Sequence, residues 1–474
     1  MSAPASHTLD FAARAMRGAL LQAGARGAAF AGIAYDSRSA AAGQLFFALP
    51  GERVDGFAFA AQAAAAGVTG IVVARGRGSP AGCDGVAVIA VDDPKLAMGD
   101  LARAVRAQFR GHVVGVTGSM GKTTTKELVA AALRPLGDVL RTPGSLNTEI
   151  GMPVTMLSAS GAEAAWVLEM AMRGRGEIAY LADVARPGVG VITNVSGAHL
   201  ERLGSLEEIA RAKGELFAGL GPDGVAIFPA DDPLVVAQAA SIAPERRLTF
   251  DGAARARVPV DVRVLEVIPA GAAGAVARYA VRGTPLVVRL PLGGAHNARN
   301  AAAALAVAFA VGAPLADAAR ALETLALPPH RSAAVPAGGR VVLDDCYNAN
   351  PDAVRAALAS VVASAGAGRS FAILGDMLEL GPDAEELHRA VGRAAGAKLA
   401  GLVAVGARAE ALVAGARDAG LAADRAVAAA SPEDAATRVA AWTAPGDWVL
   451  VKASRGMKLE RAVTALVDAL QGRG

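Results

Sequence analysis

The sequence is poor in several residue types, and each scarcity argues against a class of protein. It has two cysteines, Cys83 and Cys346, far apart among 474 residues. This spacing argues against a disulfide framework and indicates a reducing compartment. Aromatic residues make up 4% of the chain, whereas alanine and glycine are abundant. We attribute that bias to genome composition rather than to function.

Excess charge of one sign and long apolar runs are also scarce. The formal net charge is +3 and no basic block is present, which argues against a nucleic-acid partner. The longest apolar run, residues 301–316, contains a glycine and a proline. It is shorter than the roughly 20 residues that a membrane span requires. The first residues do not form the charged and apolar pattern of a secretory signal, so we expect a cytoplasmic protein.

Length and composition indicate a globular protein of several domains. A chain of 474 residues corresponds to about three domains. Hydrophobic residues make up 53% and charged residues 19%, as in globular rather than disordered chains.

The most informative stretch is a phosphate-binding loop, TGSMGKTTTKE, at residues 117–127. An apolar run typical of a β-strand, residues 113–116, precedes it, and a helical pattern, residues 122–136, follows it. Strand, glycine-rich turn and helix form the order that such a loop requires. Val116 stands where the strict motif has glycine, so the match is to the shorter pattern TGxxGKT. A chance glycine turn beside a lysine would not explain both flanking elements.

The residues of this loop suit nucleotide phosphates. Gly118 and Gly121 allow the backbone to turn sharply and to bring its N–H groups close to phosphate oxygens. The helix N-terminus adds partial positive charge at the same place. Lys122 can reach the β- and γ-phosphates, and the Thr123 hydroxyl can bind Mg²⁺.

Two further side chains lie at the ends of predicted strands. Glu169 is near the end of the buried-strand pattern at residues 166–170, where a carboxylate beside a phosphate loop commonly holds Mg²⁺. The alternative, a plain surface glutamate, fits poorly because an acid in so apolar a run needs a partner. His199 lies just past the strand pattern at residues 189–194, on the ligand side of an open α/β sheet. A structural role for this histidine is the equal alternative.

Lys213 lies on the apolar face of a predicted helix. The helix begins with a capping box from Ser205 to Glu208. Lys213 is four residues from both Ile209 and Phe217, so it falls on the buried stripe and needs a partner or a shifted pKa. A neutral amine is nucleophilic, and with CO₂ it can form a carbamate, a carboxylate-like metal ligand. The alternative is a lysine whose stem packs while its tip reaches water.

Alternating strand and helix patterns predict an α/β protein of three domains. Residues 1–110 form small α/β units, residues 111–327 contain the phosphate loop, and residues 328–474 form a third domain. The third domain alternates strands and helices, which predicts a mainly parallel, doubly wound sheet. Its predicted strands are residues 340–343, 371–374, 402–405 and 448–451. Polar clusters follow several of these strands, where such folds bind ligands.

The roles of two further groups of polar residues stay open. Asn297 and Asn300 stand at helical spacing and either contact a base or cap the helix. The turn Asp36, Ser37 and Arg38 fits ordinary turn chemistry when it is taken alone.

Eight segments together resemble the Mur ligases of peptidoglycan synthesis. In chain order they are TGSMGKTTTKE, LEMAMRGRGEI, ITNVSGAHLERLGS, ARAKGELF, GAHNARNAAAALAVA, DDCYNANPDA, GDMLELG and VKASRGMKLE. The resemblance spans essentially the whole chain. GDMLELG and the last segment are the most specific, and they are most similar to the member that joins D-alanyl-D-alanine to UDP-N-acetylmuramoyl-tripeptide.

The resemblance implies a fold, a reaction and a set of partners. The fold has an N-terminal UDP-substrate domain, a central ATPase domain and a C-terminal Rossmann-like domain. In the reaction, ATP converts the peptide carboxylate to an acyl phosphate, which the dipeptide amine then attacks. The implied cofactors are ATP and Mg²⁺, the substrates are the UDP-linked tripeptide and D-alanyl-D-alanine, and the protein is expected to be a monomer. The rival readings are a sister amide ligase, including one that adds glutamate to a folate, and an ATP-dependent switch or binding module.

The same resemblance assigns residues by position. The implied ATP site comprises Thr117, Gly118, Ser119, Met120, Gly121, Lys122, Thr123, Asn297, Arg331 and Asp345. The implied Mg²⁺ ligands are Thr123, Glu169 and His199. The implied catalytic residues are Lys122, Glu169, His199 and Lys213, of which Lys213 matches a lysine that is carbamylated in several relatives. The implied substrate residues are Ser37, Arg38 and Asn147 for the UDP-sugar part and Asn348, Asn350, Ser454 and Arg455 for the dipeptide.

Overall fold

The fold is taken from a computed structural model of the chain. It describes residues 3–24, 28–51, 54–197, 200–251 and 256–472. His199, a predicted metal ligand, lies outside the described residues.

The first part of the chain forms a five-stranded sheet and a small two-stranded pair. Its elements are β1 (Ser6–Thr8), α1 (Leu9–Ala15), β2 (Ala19–Gln22), β3 (Ala29–Ala31), β4 (Ile33–Ala34), β5 (Leu45–Phe47), α2 (Ala60–Ala65), β6 (Gly70–Ala74), β7 (Ala87–Val91) and α3 (Pro94–Gln108). The larger sheet has the order β2-β7-β6-β5-β4, and β1 pairs with β3. Strands β4 to β7 run parallel, whereas β2 is antiparallel to β7.

The middle of the chain forms a nine-stranded sheet. Its elements are β8 (His112–Thr117), α4 (Lys122–Leu133), β9 (Val139–Arg141), α5 (Gly151–Met156), β10 (Ala165–Glu169), α6 (Glu177–Ala185), β11 (Val189–Ile192), α7 (Leu200–Leu203), α8 (Leu206–Ala218), β12 (Val225–Pro229), α9 (Pro233–Gln238), β13 (Arg247–Phe250), β14 (Val262–Pro269), β15 (Ala275–Val281), β16 (Thr284–Leu290), α10 (Ala295–Ala310) and α11 (Leu315–Glu323). The order is β16-β15-β14-β13-β12-β11-β8-β10-β9. It is parallel from β9 to β14, and β14, β15 and β16 form an antiparallel extension.

The last part of the chain forms a six-stranded sheet. Its elements are β17 (Ala333–Ala337), β18 (Arg340–Asp344), α12 (Pro351–Ala365), β19 (Ser370–Gly375), α13 (Ala384–Gly396), β20 (Gly401–Val405), α14 (Ala409–Asp418), β21 (Ala426–Ala429), α15 (Pro432–Trp442), β22 (Trp448–Lys452) and α16 (Glu460–Gln471). The order is β17-β18-β22-β19-β20-β21, and every pairing except β17 with β18 is parallel.

Strand β19 shows why this last sheet is covered on both faces. Phe371 and Ile373 pack into one apolar core, whereas Ala372 and Leu374 pack into another. Successive side chains of a strand point to opposite faces, so an apolar run without alternation requires helices on both sides. The predicted α/β class with a doubly wound parallel sheet is confirmed.

One local prediction differs from the structure, and one part of the central sheet was not predicted. The helix predicted over residues 122–136 ends at Leu133, and a 3₁₀ turn, Arg134–Leu136, follows it. Pro135 lies in that turn and has no N–H to continue the helical hydrogen bonds. The antiparallel extension β14–β16 was not predicted, because its strands carry none of the motifs that mark the rest of the central sheet.

No helix in the described part of the chain combines the length and the apolar character that a membrane span needs.

Candidate active site

Three neighbouring parallel strands bring the predicted phosphate loop and carboxylate together. β8 lies between β10 and β11, with Glu169 opposite Val116 and Ile192 opposite Thr117. All three strands therefore end at the same edge of the sheet, where open α/β folds bind ligands. A cavity of about 890 Å³ opens at this edge, and residues of both the central and the last sheet regions line it.

Two glycines of the loop are required by close contacts. Gly118 has φ +149°, and a Cβ atom there would lie 1.9 Å from Thr193 Oγ1. Gly121 has φ +75°, and a Cβ atom there would lie 2.8 Å from Asn300 Oδ1. Both backbone angles are in the region that favours glycine. The loop is thus a tight cradle at the start of α4, whose first N–H groups have no partner within the helix.

Residues at the end of β11 hold this cradle. Thr193 Oγ1 donates to Met120 O at 2.6 Å, and Met120 N donates to Asn194 Oδ1 at 3.0 Å. Ser119 N donates to Asn194 O at 3.0 Å. Thr193 and Asn194 were not predicted as site residues, although their position after a strand next to β8 could have indicated such a role.

Lys122 lies across the mouth of the loop. Its Nζ donates to Gly118 O at 2.7 Å and to Ser119 O at 3.2 Å. Burial lowers the pKa of Lys122, the nearby charge of Arg331 lowers it further, and Glu169 opposes both effects. The side chain is half-buried, so it is placed to meet an anion that enters the cavity.

Glu169 is buried and hydrogen-bonded, which excludes the alternative that it is an ordinary surface glutamate. It is 2% exposed. Its Oε2 accepts from Thr123 Oγ1 at 2.8 Å, and its Oε1 accepts from Asn147 Nδ2 at 2.8 Å. A carboxylate and a hydroxyl oxygen side by side at the cavity are hard ligands of the kind that Mg²⁺ prefers, so the donor set fits this ion.

A buried lysine that the sequence analysis missed lies behind Glu169. Lys126 is fully buried, and its Nζ donates to Thr142 O at 2.6 Å. It lies 2.9 Å from Glu127 Oε1 and 4.0 Å from Glu169 Oε2. This positive charge balances the buried carboxylates, which would otherwise be costly to keep ionised.

Lys213 is buried against the phosphate loop. It is 1% exposed, and its Nζ donates to Gly118 O at 3.0 Å. Burial and, second, the charge of Lys122 hold the pKa of Lys213 well below its usual value. The alternative in which its tip reaches water is therefore wrong. Its helix begins at Ser205, whose Oγ accepts from Glu208 N at 3.2 Å, as the capping box predicts.

The last sheet region contributes a charged group to the cavity. Asp345 accepts from Lys452 Nζ and from Ser332 N, the latter at 3.0 Å. The Arg331 guanidinium lies 3.9 Å from the centre of the Tyr347 ring, a cation–π contact. Arg331 and Asp345 line the cavity as predicted residues, whereas Lys452 and Tyr347 line it without having been predicted.

The two asparagines of α10 both line the cavity. Asn297 is buried, and its Nδ2 donates to Gly293 O at 2.8 Å, so it ties the helix start to the preceding loop. Asn300 lies against Gly121. His296, which was not predicted, also lines the cavity, and burial lowers its pKa.

The predicted substrate residues fall in different places. Asn348 and Asn350 line the cavity, and Asn350 Oδ1 also caps α12 by accepting from Ala353 N at 2.9 Å. Ser454 is buried behind it, where its Oγ accepts from Leu378 N at 2.9 Å. Arg455 is exposed and lies 3.6 Å from Glu460. Asn147 lines the cavity but is engaged with Glu169.

Ser37 and Arg38 lie in the first sheet region, not at the cavity. Ser37 Oγ donates to Gln62 Oε1 at 2.9 Å, and Arg38 N donates to Asp36 Oδ1 at 3.0 Å. Hydrogen bonds from Arg38 lower the pKa of Asp36 to about 2. These are the contacts of an ordinary turn, and a role in binding substrate stays a prediction.

One group of three side chains in the described ranges has the atoms of a metal site: His330, Asp344 and Cys346. His330 Nδ1 and Asp344 Oδ2 are 2.8 Å apart, and Cys346 Sγ donates to Asp344 Oδ1 at 3.1 Å. Burial raises the pKa of the Cys346 thiol, which disfavours the thiolate that a metal needs. We interpret the group as a hydrogen-bonded structural triad.

Comparison with known proteins finds relatives that match most of the chain. Three family models match: "Mur ligase family, catalytic domain" at residues 29–106, "Mur ligase middle domain" at residues 116–308 and "Mur ligase, glutamate ligase domain" at residues 330–455. The UDP-N-acetylmuramoyl-tripeptide–D-alanyl-D-alanine ligase of Bacillus subtilis (strain 168) is 34% identical over 439 residues, which cover 92% of this chain and 93% of the relative.

Solved structures give the same result. A crystal structure of MurF from Acinetobacter baumannii has a TM-score of 0.88 and 30% identity, covering 98% of this chain and 100% of that one. A MurF ligase from Thermotoga maritima in complex with ADP has a TM-score of 0.81 and 29% identity, covering 94% of this chain and 99% of that one.

Proposed function

This chain belongs to the Mur ligase family, and from that premise we propose that it joins D-alanyl-D-alanine to UDP-N-acetylmuramoyl-tripeptide. The reaction consumes ATP and gives UDP-N-acetylmuramoyl-pentapeptide for peptidoglycan synthesis. The observation that carries the proposal is a phosphate loop and a paired carboxylate facing one cavity with residues of the last sheet region. The relatives that carry the name of this ligase support it.

ATP would occupy the cradle formed by residues 117–123. The N–H groups at the start of α4 and the half-buried Lys122 suit the β- and γ-phosphates. Asn297, Arg331 and Asp345 would hold the rest of the nucleotide, since all three line the same cavity. The ADP complex of the Thermotoga maritima relative supports this use of the site.

Thr123 and Glu169 would hold Mg²⁺, and His199 would hold a second ion. When bound, Mg²⁺ would neutralise charge on the transferring phosphoryl group. Lys126 and Asn147 orient Glu169 for this task. We also propose that Lys213 is carbamylated, because its buried amine has the lowered pKa that reaction with CO₂ requires. A ¹³C NMR carbamate resonance under ¹³CO₂, missing in Lys213→Met, tests this step without an activity assay.

The chemistry needs two displacements and no enzyme nucleophile. A carboxylate oxygen of the tripeptide attacks the γ-phosphorus of ATP, and ADP leaves. The amine of D-alanyl-D-alanine then attacks the acyl carbon, loses a proton, and expels inorganic phosphate as the amide forms. Lys122 would stabilise the phosphoryl charge, and the cavity walls would exclude water from the acyl phosphate.

Substrate placement follows the domain order. We propose domains at residues 1–110, 111–327 and 328–474, of which the first holds the UDP part through Ser37 and Arg38, with Asn147 from the central domain. Asn348 and Asn350 would lie near the dipeptide, and Ser454 and Arg455 would support them. The protein would act in the cytoplasm, where ATP is available, and we propose that it does so as a monomer.

The test is phosphate release with ATP, Mg²⁺, UDP-N-acetylmuramoyl-tripeptide and D-alanyl-D-alanine, omitting each in turn. Release should require all four, and mass spectrometry should detect the pentapeptide product. ATP turnover at the same rate without the dipeptide would favour a switch or binding module instead. Turnover with another amino acid in place of the dipeptide would favour a sister ligase.

A further inference from the structure

The segment after β19 carries an acidic side chain to the cavity. β19 ends at Gly375, and residues 376–379 lead from it to the cavity wall. Glu379 lines the cavity and is exposed. It was not among the predicted site residues, although its segment was part of the resemblance.

Glu379 differs from the other carboxylates that line the cavity. The others have protein partners: Glu149 with Lys95, Glu169 with Thr123, Glu177 with the Arg173 N–H, and Asp345 with Lys452. Glu379 makes neither a hydrogen bond nor an ion pair with any residue that the structure describes. A carboxylate that lines a cavity without such a partner is available to a cationic group of a ligand.

The backbone at Glu379 is strained. Its φ is +62°, a left-handed conformation in which a side chain costs free energy and glycine would not. Strain of this kind is typical of functional sites.

Neighbouring groups fix the segment that presents Glu379. Met377 N donates to Nε2 of the fully buried His388 at 2.9 Å, and Leu378 N donates to Ser454 Oγ at 2.9 Å. Ser454 N donates to Asp376 O at 3.0 Å. Successive backbone groups are therefore held before the chain reaches Glu379. This also gives Ser454 a positioning role, which explains why it is buried behind the cavity.

Part of the lining of this cavity is small and apolar. Ala353 and Ala356 of α12 line the cavity, and their spacing of three residues places them on one face of the helix. The methyl side chains of these alanines leave room for a ligand whose own side chains are no larger than methyl groups.

We propose that Glu379 recognises the protonated amine of the incoming dipeptide, an inference that rests on the function proposed above. The α-amino group of a dipeptide is largely protonated at neutral pH. A charge-assisted hydrogen bond to Glu379 holds this group at the C-terminal wall, with the methyl groups against Ala353 and Ala356. Glu379 is thus a specificity-determining residue for an amine acceptor.

The test compares the amine substrate with its hydroxyl analogue. Glu379→Gln should raise the KM for D-alanyl-D-alanine about tenfold or more and change kcat by less than about threefold. D-Lactyl-D-alanine, in which a hydroxyl replaces the amine, serves as a competitive inhibitor, and its inhibition constant should change little. Glu379→Gly should give the same loss of discrimination in a fully folded protein, because it relieves the strained φ.

Glu385→Gln is the matched control, since Glu385 is an exposed glutamate on α13 that pairs with Arg408. It should leave both constants unchanged. The inference is overturned if wild type turns over but Glu379→Gln keeps its KM, loses only kcat, or weakens both ligands equally. If wild type does not use D-alanyl-D-alanine at all, the proposed function itself fails.

Discussion

Lys122 and Lys213 donate to the same backbone oxygen, that of Gly118. The Nζ atoms lie 2.7 Å and 3.0 Å from it. Two ammonium groups sharing one neutral acceptor in a buried site repel each other, and burial penalises both charges. The lower pKa therefore falls on Lys213, the more buried of the two, while Lys122 keeps access to the cavity. The two lysines therefore differ in role: Lys122 is the cationic residue for phosphate, and Lys213 is the amine that loses its proton more easily.

Lys122→Ala should abolish ligation without unfolding the protein. The lysine is half-buried at the loop mouth and binds only backbone oxygens of the loop, so its loss removes phosphoryl stabilisation rather than core packing. We expect kcat to fall by about a hundredfold or more, while thermal unfolding followed by circular dichroism changes little. Lys398→Ala, at an exposed position on the last sheet region, is the control. Near-normal turnover by Lys122→Ala would contradict the assignment of this loop as the phosphate-binding site.

Lys213→Met should trade activity for stability. A neutral or charged amine buried at this position costs free energy that a methionine does not, so we expect the variant to be inactive and about 1 kcal/mol more stable at pH 7 in CO₂-free buffer. The folded-state pKa is lowered, so between it and the unfolded value the unfolded chain binds more protons. Wild-type stability therefore rises with pH through this window.

Urea unfolding of both proteins from pH 7 to 10 measures this effect. The stability advantage of Lys213→Met should shrink as the pH approaches the ordinary lysine pKa. An advantage that grows with pH would contradict the lowered pKa of Lys213.

Glu169→Gln should weaken the response to Mg²⁺. The substitution keeps the shape and leaves hydrogen-bonding atoms for Thr123 and Asn147, but it removes the charge that attracts the ion. We expect the Mg²⁺ concentration for half-maximal activity to rise about tenfold or more, together with a lower kcat. Asp138→Asn, at an exposed position, should leave the Mg²⁺ titration unchanged. An identical titration for Glu169→Gln would exclude this carboxylate from the ion site.

Gly118→Ala should damage both the fold and the site. The added Cβ would lie 1.9 Å from Thr193 Oγ1 at a φ of +149°, so we expect a loss of about 1–3 kcal/mol in stability and loss of ADP binding by calorimetry. Gly188→Ala is the control, because a Cβ there meets nothing within 4 Å and its φ is not positive. Normal ADP affinity in Gly118→Ala would show that the cradle is wider than described.

Local patterns were enough to predict the strand, turn and helix around the glycine-rich loop, the buried carboxylate and the buried lysine. The strand before Gly118, the apolar run that contains Glu169 and the helical spacing around Lys213 are each contained within a few neighbouring residues. Strand and helix periods set burial at that range, and the structure agrees for all three.

Residues that work through contacts between distant segments could not be predicted in this way. Asn194 reaches Met120, and Lys126 reaches Thr142 and Glu169, only because the sheet order places β11, β8, β10 and β9 side by side. Glu379 depends on a backbone conformation set by distant side chains. The predicted end of α4 was wrong for a different reason, since Pro135 was included in the helical pattern although it cannot continue the helical hydrogen bonds.

The most direct test of the central claim follows one oxygen atom. The tripeptide is labelled with ¹⁸O in the carboxylate that is to be joined, and the phosphate formed with ATP, Mg²⁺ and D-alanyl-D-alanine is analysed by mass spectrometry. Activation as an acyl phosphate predicts one ¹⁸O atom in each inorganic phosphate, because the bond between the acyl carbon and that oxygen breaks when the amide forms. Phosphate without ¹⁸O would mean that water, not the peptide carboxylate, receives the phosphoryl group, and the ligase account would be contradicted.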